Sequence, residues 1–373
     1  MPYLGMAEKK SSLTILGLSK RKALFTAIIT ILLAGAAAVL LGLAADFHKL
    51  FQALSRANWW WFLVCIGGEA VAYQGYNFGY RDFARAGHGP KLSWWDATRI
   101  AGIGQGAIIF GATAASLAVD FWAIHRAGAK IHEAAKRVLG LNTMEWAVLS
   151  VLAVAASIAI LAGAGKGAPY QMTIAWIVGV PLCYLGALWF TSPRRVGRFT
   201  QGHRKIPPAL QWSPRTWLGW AWVNFQKGFA DAIGGVVVVR HIVGHPLKYK
   251  AGNGGFLVYW VGHLLCLYGA VRAFGYSIDI APLVLAYATT FLLTILPLPA
   301  GGAGGIEVTL AYMLRLVGVP FTTAVASMLI FRLFVFWLPI IPALCFLPTI
   351  KSLNRDLPRA GKDLSTPLIQ GFS

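Results

Sequence analysis

One short segment of the chain combines helix-breaking residues with an ionisable side chain. Its prolines and glycines are Pro297, Pro299, Gly301, Gly302, Gly304 and Gly305. Proline removes a backbone donor and clashes with the preceding helical turn, whereas glycine permits positive φ angles and close approach of other groups. Glu307 follows where a helix would restart, near its positive end. The segment predicts a broken helix that lines a ligand site, with a tight glycine crossing between packed helices as the alternative.

Further polar residues lie within apolar runs. An ionisable side chain costs roughly 2.5–3.5 kcal/mol at the centre of a bilayer on insertion scales, so such residues indicate either function or pairing. Arg332 and Arg315 are candidate counter-charges for Glu307. Lys227 and Asp231 are four residues apart and could neutralise one another on one helix face. The other candidates are Glu69, which has no local partner, Gln105 in a glycine-rich segment, and Asp120, for which capping at the membrane interface is the alternative.

The composition excludes an ordinary soluble protein. Of the 373 residues, 57% are hydrophobic and 12% are charged, and the mean hydropathy is +0.62. An average soluble domain is about a quarter charged. Apolar stretches of about 18 or more residues recur along the chain, and each is long enough to cross a hydrocarbon layer of about 30 Å as a helix. The predicted fold class is an all-α polytopic membrane protein.

The net charge of +20 does not indicate nucleic-acid binding, because the bases lie in loops between the apolar runs. Lys and Arg are enriched in the cytoplasmic loops of membrane proteins, and such loops also attract anionic lipid headgroups. The four cysteines are dispersed, and no zinc-protease, serine-hydrolase or phosphate-loop motif occurs. We therefore expect no metal, no cofactor and no enzymatic activity.

Eight apolar segments are predicted to span the membrane, with two re-entrant hairpins between them. The spans are 23–45, 59–80, 143–164, 172–192, 216–239, 254–276, 279–297 and 322–347, and the hairpins are 100–123 and 297–316. The first hairpin is needed because the loops 81–99 and 124–142 each carry four Lys or Arg residues, so both should be cytoplasmic. This topology places both termini in the cytoplasm and the loop 240–253 outside.

A weak internal repeat agrees with this topology. A shift of 190 residues places Gly128 over Gly318 and Ala134 over Ala324. Many transporters are inverted repeats with broken helices near the bilayer midplane, although a chance match between small residues is the alternative. The predicted organisation is a cytoplasmic segment 1–22, one transmembrane domain 23–347 with repeat halves at 59–164 and 254–347, and a short cytoplasmic tail 348–373.

Two consecutive runs, PLPAGGAGGIEVTLAYMLRLVGVP and AVASMLIFRLFVFWLPIIPAL, resemble the C-terminal signature of a known family. This is the lysylphosphatidylglycerol synthase transmembrane-region family, the flippase part of the multiple peptide resistance factor. The matching positions are Pro297, Pro299, Gly301, Gly302, Gly304, Glu307, Gly318, Ala324 and Arg332. The earlier segment RIAGIGQGAIIFGATAAS resembles the family only in outline, because it lacks a proline before its glycines. The resemblance implies a membrane protein that moves lipids, typically aminoacylated phosphatidylglycerol, between leaflets.

The functional prediction is a lipid translocator in a bacterial-type plasma membrane. A headgroup would enter a polar cavity between the hairpins, where Glu307 would contact a cationic group or balance Arg332. The expected partners are anionic or aminoacylated phospholipids, with a second copy of the chain or a separate synthase as protein partner. Since the chain stops at Ser373 without an aminoacyltransferase domain, we expect no synthase activity, and movement would be downhill or ion-coupled. The alternatives are an ion-coupled small-solute transporter and a membrane subunit of a lipid-modifying enzyme.

Overall fold

A computed structural model describes residues 20–165, 167–192, 217–295 and 303–360. Side chains are described there except for 20–24, 110–113, 217–227, 229, 295 and 359–360. Every regular element in these ranges is helical, as the apolar runs predict. The helices are α1 (Lys20–Ala45), α2 (Phe47–Ser55), α3 (Trp60–Arg85), α4 (Trp94–Arg126), α5 (Ile131–Leu161), α6 (Tyr170–Phe190), α7 (Trp217–Gly244), α8 (Lys250–Ala273), α9 (Ile280–Phe291), α10 (Gly305–Leu316), α11 (Phe321–Arg332), α12 (Ile340–Phe346) and α13 (Ile350–Ala360).

Five of the described helical segments are long and apolar enough to cross a membrane. They are α1, α5, α6, α8 and the run 321–358, in which a π-helical turn at Leu333–Trp337 separates α11 from α12. The more polar α3 is antiparallel to α8 along its whole length. Asn58 N donates to Ala273 O at 2.7 Å at one end, and Gly252 N donates to Asp82 Oδ2 at 2.6 Å at the other. Therefore α3 crosses the same depth as α8.

Glycines form the contact between α3 and α8. A β-carbon on Gly75 would lie only 2.3 Å from the backbone nitrogen of Tyr259. One on Gly262 would lie 2.4 Å from the carbonyl oxygen of Gly68. Small residues let membrane helices approach closely and gain van der Waals contact, which matters because lipid supplies no hydrophobic force between helices. The two central helices are thus held together by backbone-to-backbone packing.

The helical run of α4 reverses direction. A β-carbon on Gly104 would lie 3.1 Å from Ser116 Oγ, whereas the same number of residues in a straight helix would span about 18 Å. Both arms reach the same end of the bundle, because Arg137, just after the hairpin, donates from Nη2 to the Ala86 carbonyl before it at 3.0 Å. This geometry confirms the re-entrant hairpin predicted at 100–123 and widens it to Trp94–Arg126.

The basic loops gather at one end of the bundle, and we call residues 81–93, 127–137 and 240–253 the basic face. Arg85 Nη2 donates to the Lys248 carbonyl oxygen at 2.9 Å. The prediction that the loop 240–253 lies across the membrane from the loop 81–99 is therefore wrong. The physical reason is the antiparallel pairing of α3 and α8, which brings the residues before α8 to the end of α3. With the loop 240–253 at this end, its basic residues also follow the rule that Lys and Arg cluster on one side of the membrane.

A second hairpin enters from the opposite end of the bundle. Its first arm, α9, has 12 residues and is followed by a 3₁₀ turn at Leu292–Ile295, so it is too short to cross a bilayer. Its second arm, α10, packs against α9 and returns to the same end, where Tyr276 Oη donates to Gly318 O at 2.7 Å. The prediction of a complete span at 279–297 is wrong, because apolar composition alone does not separate a hairpin arm from a span.

The two hairpins occupy equivalent places in two similar units. The starts of α8 and α11 lie 190 positions after the starts of α3 and α5, and the end of α10 lies 190 positions after the end of α4. The turns after the hairpins also match, with Gly128 and Gly318 both at φ 100°, a conformation that favours glycine. Because α3 and α8 are antiparallel, these observations support an inverted repeat. The domain boundaries remain a prediction.

The glycine contact between α3 and α8 gives a stability prediction. We expect Gly75→Ala to lower the melting temperature of the purified protein in detergent, because the new methyl group meets backbone that cannot rotate away. The overpacking cost is about 1–3 kcal/mol. Gly67→Ala on the same helix is the matched control, since nothing lies within 4 Å of its β-carbon position. Equal melting temperatures for the two variants would contradict the contact.

The reversal within α4 is testable by crosslinking in native membranes. We expect cysteines introduced by Gly104→Cys and Ser116→Cys, in a background without the four native cysteines, to form a disulfide on mild oxidation. Loss of maleimide labelling in the double variant measures the bond, and the two single variants are the controls. Full labelling of both cysteines after oxidation would indicate a straight helix instead.

Candidate functional site

A cavity of about 570 Å³ lies between the two hairpins. We call it the midplane cavity. Its walls come from both arms of each hairpin and from α3, α5, α8 and α11. Each unit of the repeat therefore contributes to the same space, as expected when inverted repeats with broken helices form a binding site.

The midplane cavity lies halfway along the helices that form it. Glu145 is at the centre of the 31-residue α5, and Tyr259 and His263 flank the centre of the 24-residue α8. Arg332 lies halfway along the broken helix formed by α11 and α12. Because these helices cross the whole hydrocarbon layer, the cavity is at the depth where unpaired polar groups are most expensive.

The cavity walls carry two kinds of side chain. One part is aromatic, with the rings of Trp146 and Phe291 at a centroid distance of 4.7 Å. The other part presents hydrogen-bonding groups, among them Gln105, Asn142 and Thr290. Mostly apolar walls with a few polar groups are typical of small-molecule sites. The cavity is therefore suited to an amphipathic ligand.

The ion pair predicted from the sequence is present. Arg332 Nε donates to Glu307 Oε1 at 2.7 Å, and Arg332 Nη2 lies 2.6 Å from the same oxygen. The other carboxylate oxygen accepts the backbone N–H of Gly304 at 2.7 Å, which caps the first turn of α10. Side-chain exposure is 12% for Arg332 and 5% for Glu307. Of the alternatives for Glu307, the structure therefore supports balancing Arg332.

Local backbone geometry positions both members of the pair. Gly304 precedes α10 with φ 89°, and a β-carbon there would lie 3.3 Å from the Leu33 carbonyl oxygen of α1. Arg332 ends α11, directly before the π-helical turn. Such turns interrupt the regular helix and are frequent at functional sites. The guanidinium also lies over the Phe336 ring, 4.3 Å from its centroid.

Arg332 retains hydrogen-bonding capacity. A guanidinium has five N–H donors, and Glu307 accepts two of them. Among the described residues no other acceptor bonds to this side chain. Arg332 lines the midplane cavity, whereas Glu307 is not among the lining residues. The cavity therefore offers unused hydrogen-bond donors to an anion at the centre of the membrane.

A second polar group on the cavity wall was not predicted. Tyr76 Oη donates to Asp120 Oδ2 at 2.5 Å, and Tyr259 lies next to Glu145 on the cavity wall. Glu145 lies within the predicted span 143–164, so the rule that flags ionisable residues in apolar runs also applies to it. The tyrosines give no such signal, because tyrosine is common in membrane helices. Asp120 is buried beneath Tyr76 rather than capping a helix at the interface.

The remaining predicted site residues have different surroundings. Gln105 lines the midplane cavity. Glu69 is buried on α3 but does not line it. Asp231 pairs with His132 at 3.3 Å near the basic face, while the side chain of its predicted partner Lys227 lies outside the described residues. Gly305 begins α10 and is exposed. Four further candidates, Pro297, Pro299, Gly301 and Gly302, also lie outside the described residues.

The ion pair gives a second stability prediction. Removing one member leaves a buried unpaired charge, which costs about 3–5 kcal/mol, whereas removing both leaves none. We expect Glu307→Gln and Arg332→Gln each to lower the melting temperature in detergent, and the double variant to recover part of the loss. If the losses simply add in the double variant, the two side chains do not form a coupled pair.

A comparison with protein families agrees with this site. The family model described as the lysylphosphatidylglycerol synthase TM region matches residues 26–343. The matched residues include both hairpins, the midplane cavity and the Glu307–Arg332 pair. No curated protein matches the chain. Because the family model covers most of the chain, the protein belongs to the lysylphosphatidylglycerol synthase transmembrane-region family.

Proposed function

We propose that the protein is a lipid translocator, in which a phospholipid headgroup passes through the midplane cavity while the acyl chains remain in the bilayer. The observation that carries the proposal is the position of Arg332. Its guanidinium presents unused N–H donors at the centre of the membrane, in a cavity between two opposed hairpins. The family name refers to lysylphosphatidylglycerol, and we propose anionic or aminoacylated phosphatidylglycerol as the lipid class.

Arg332 addresses the main barrier to lipid movement. A phosphate that leaves water for hydrocarbon loses its hydration, and an isolated charge in such surroundings costs tens of kcal/mol in the Born limit. A guanidinium replaces part of that hydration with charge-assisted hydrogen bonds. Glu307 holds Arg332 in place and offsets the cost of burying it when no lipid is present. The pair thus keeps a phosphate partner ready at the depth where it is needed.

The size and lining of the cavity fit a headgroup rather than a whole lipid. Its volume of about 570 Å³ falls within the range of roughly 300–1,000 Å³ that is usual for small-ligand sites. Gln105, Asn142 and Thr290 can bond the hydroxyl groups of a glycerol headgroup. The aromatic wall provides apolar contact next to the bilayer. A ligand with a polar head and long apolar chains satisfies both parts.

We also propose that the basic face is cytoplasmic in a bacterial-type plasma membrane. Three basic segments gather there in the structure, and Lys and Arg are enriched on the cytoplasmic side of membrane proteins. Such a surface also concentrates anionic lipid by about 1 kcal/mol for each base near the membrane. The face therefore supplies the cavity with the proposed class of lipid.

A leaflet-specific assay in proteoliposomes tests this function. Phosphatidylglycerol with a fluorescent acyl chain is bleached from one side, and the translocation rate is the rise in the bleachable fraction. We expect the double variant Glu307→Gln with Arg332→Gln to lose at least tenfold in rate, since a hydrogen bond to a charged group contributes about 1.5–3 kcal/mol. This variant leaves no unpaired buried charge. Its melting temperature therefore shows whether a lower translocation rate is caused by misfolding or by loss of the Arg332 site.

The matched control is Arg315→Gln. Arg315 is exposed at the end of α10 opposite the basic face, where it lies over the Phe321 ring, outside the cavity. We expect it to keep the wild-type rate. Wild-type translocation by the double variant would remove the Arg332 site from the mechanism. Flux of a water-soluble solute without lipid movement would instead favour the small-solute transporter.

A further inference from the structure

We infer that the midplane cavity binds a proton together with the anionic headgroup, an inference that rests on the proposed function. Glu145 accepts the proton, and Arg332 contacts the phosphate. Lipid translocation is then coupled to the proton gradient, with lipid and proton moving in the same direction. The inference rests on a cluster of acids and tyrosines in the wall of the cavity.

The cluster joins four helices at the level of Arg332. Glu145 on α5 and Tyr259 on α8 are neighbours at the cavity. The Tyr259 ring lies 5.9 Å from the ring of Tyr76 on α3, and the Tyr76 hydroxyl donates to Asp120 on α4 at 2.5 Å. Glu145, Tyr259 and Tyr76 all line the midplane cavity. Two carboxyl groups and two tyrosines are therefore clustered beside the proposed headgroup site.

In the part of the chain that the structure describes, these carboxyl groups have no cationic partner. Within the described parts of the chain, neither Glu145 nor Asp120 forms an ion pair. Asp120 is 0% exposed and its Oδ1 has no hydrogen-bond partner. His263, 6% exposed and on the cavity wall, has an unpartnered Nδ1. A carboxylate in such surroundings is stabilised by taking up a cation, and a proton is the smallest.

The neighbouring groups do not supply that cation. The other ionisable groups around the cluster are Glu69, Tyr73 and Tyr80 on α3, His263 on α8, Tyr287 on α9 and Arg332 on α11. Of these, Arg332 alone carries a permanent positive charge, and Glu307 already pairs with it. Asp120 is sealed behind Tyr76. Glu145 is therefore the acid that can exchange a proton with water in the cavity.

Electrostatics couples this proton to the phosphate. A cavity of this volume is about 10 Å across. At an effective dielectric constant of about 20, two negative charges at that separation repel each other by an energy that corresponds to roughly a tenfold change in affinity. When a proton passes from cavity water to a Glu145 carboxylate oxygen, that repulsion disappears. By reciprocity, the phosphate raises the proton affinity of Glu145 by the same factor. When the headgroup leaves, the proton returns to water.

Lipid binding in detergent tests the coupling without any transport. The probe is short-chain phosphatidylglycerol, and its affinity for the purified protein is measured between about pH 5 and about pH 8. We expect wild-type affinity to rise on the order of tenfold towards low pH, and affinity of Glu145→Gln to stay constant. Glu133→Gln is the matched control on the same helix, because Glu133 pairs with Lys136 near the basic face. It should keep the pH dependence, and a pH-independent wild type would overturn the inference.

A transport measurement in proteoliposomes completes the test. Wild-type proteoliposomes are given a pH gradient of either sign while the translocation of fluorescent phosphatidylglycerol is followed. We expect faster movement away from the acidic side than towards it, and Glu145→Gln should reduce the ratio of the two rates to about one. Equal wild-type rates in both directions would overturn the coupling and leave the proposed function intact. Absence of any wild-type translocation would overturn the proposed function, and the coupling with it.

Discussion

The requirement that every backbone polar group in hydrocarbon finds a partner governs this structure. A chain that turns back inside the membrane has to be covered by protein, and the described arms of both hairpins pack against other helices. Gly106 of the first hairpin lies against Ala343 of α12, and Gly102 lies against Phe346. Gly304 of the second hairpin packs on the backbone of α1 at Leu33. The surrounding helices therefore shield the hairpins from lipid. The space that remains between the two hairpins is the midplane cavity.

The same constraint explains the charges in the cavity. Arg332 is tolerated at the midplane because Glu307 pairs with it and Phe336 stacks on it. Glu307 in turn is held by the first turn of α10. The pair is locally neutral and Arg332 keeps unused donors, so the proposed phosphate would bind these donors without displacing Glu307. In the described part of the chain, neither Glu145 nor Asp120 has such a partner, and on this difference the proposed proton coupling depends.

Much of this arrangement follows from the sequence, and the exceptions have physical causes. The basic loops 81–99 and 124–142 predict the first hairpin correctly, because charge fixes the side of a loop. The hydropathy of the segment 279–297 predicts a complete span, because hydropathy does not show where a helix ends. In the structure α9 ends after 12 residues. The sequence places the loop 240–253 on the wrong side, because the predicted side depends on counting every preceding span correctly. The Glu307–Arg332 pair was recognisable from residue type, whereas the link from Asp120 to Tyr76 depends on the folded chain.

The central claim is that a lipid phosphate meets Arg332 inside the midplane cavity. An experimental density map of the protein in nanodiscs that contain phosphatidylglycerol tests it most directly. The account predicts headgroup density between the hairpins, with phosphate oxygens within hydrogen-bonding distance of the Arg332 guanidinium and acyl chains leading out to the bilayer. A cavity that holds only water, with ordered lipid confined to the outer surface of the bundle, would contradict it.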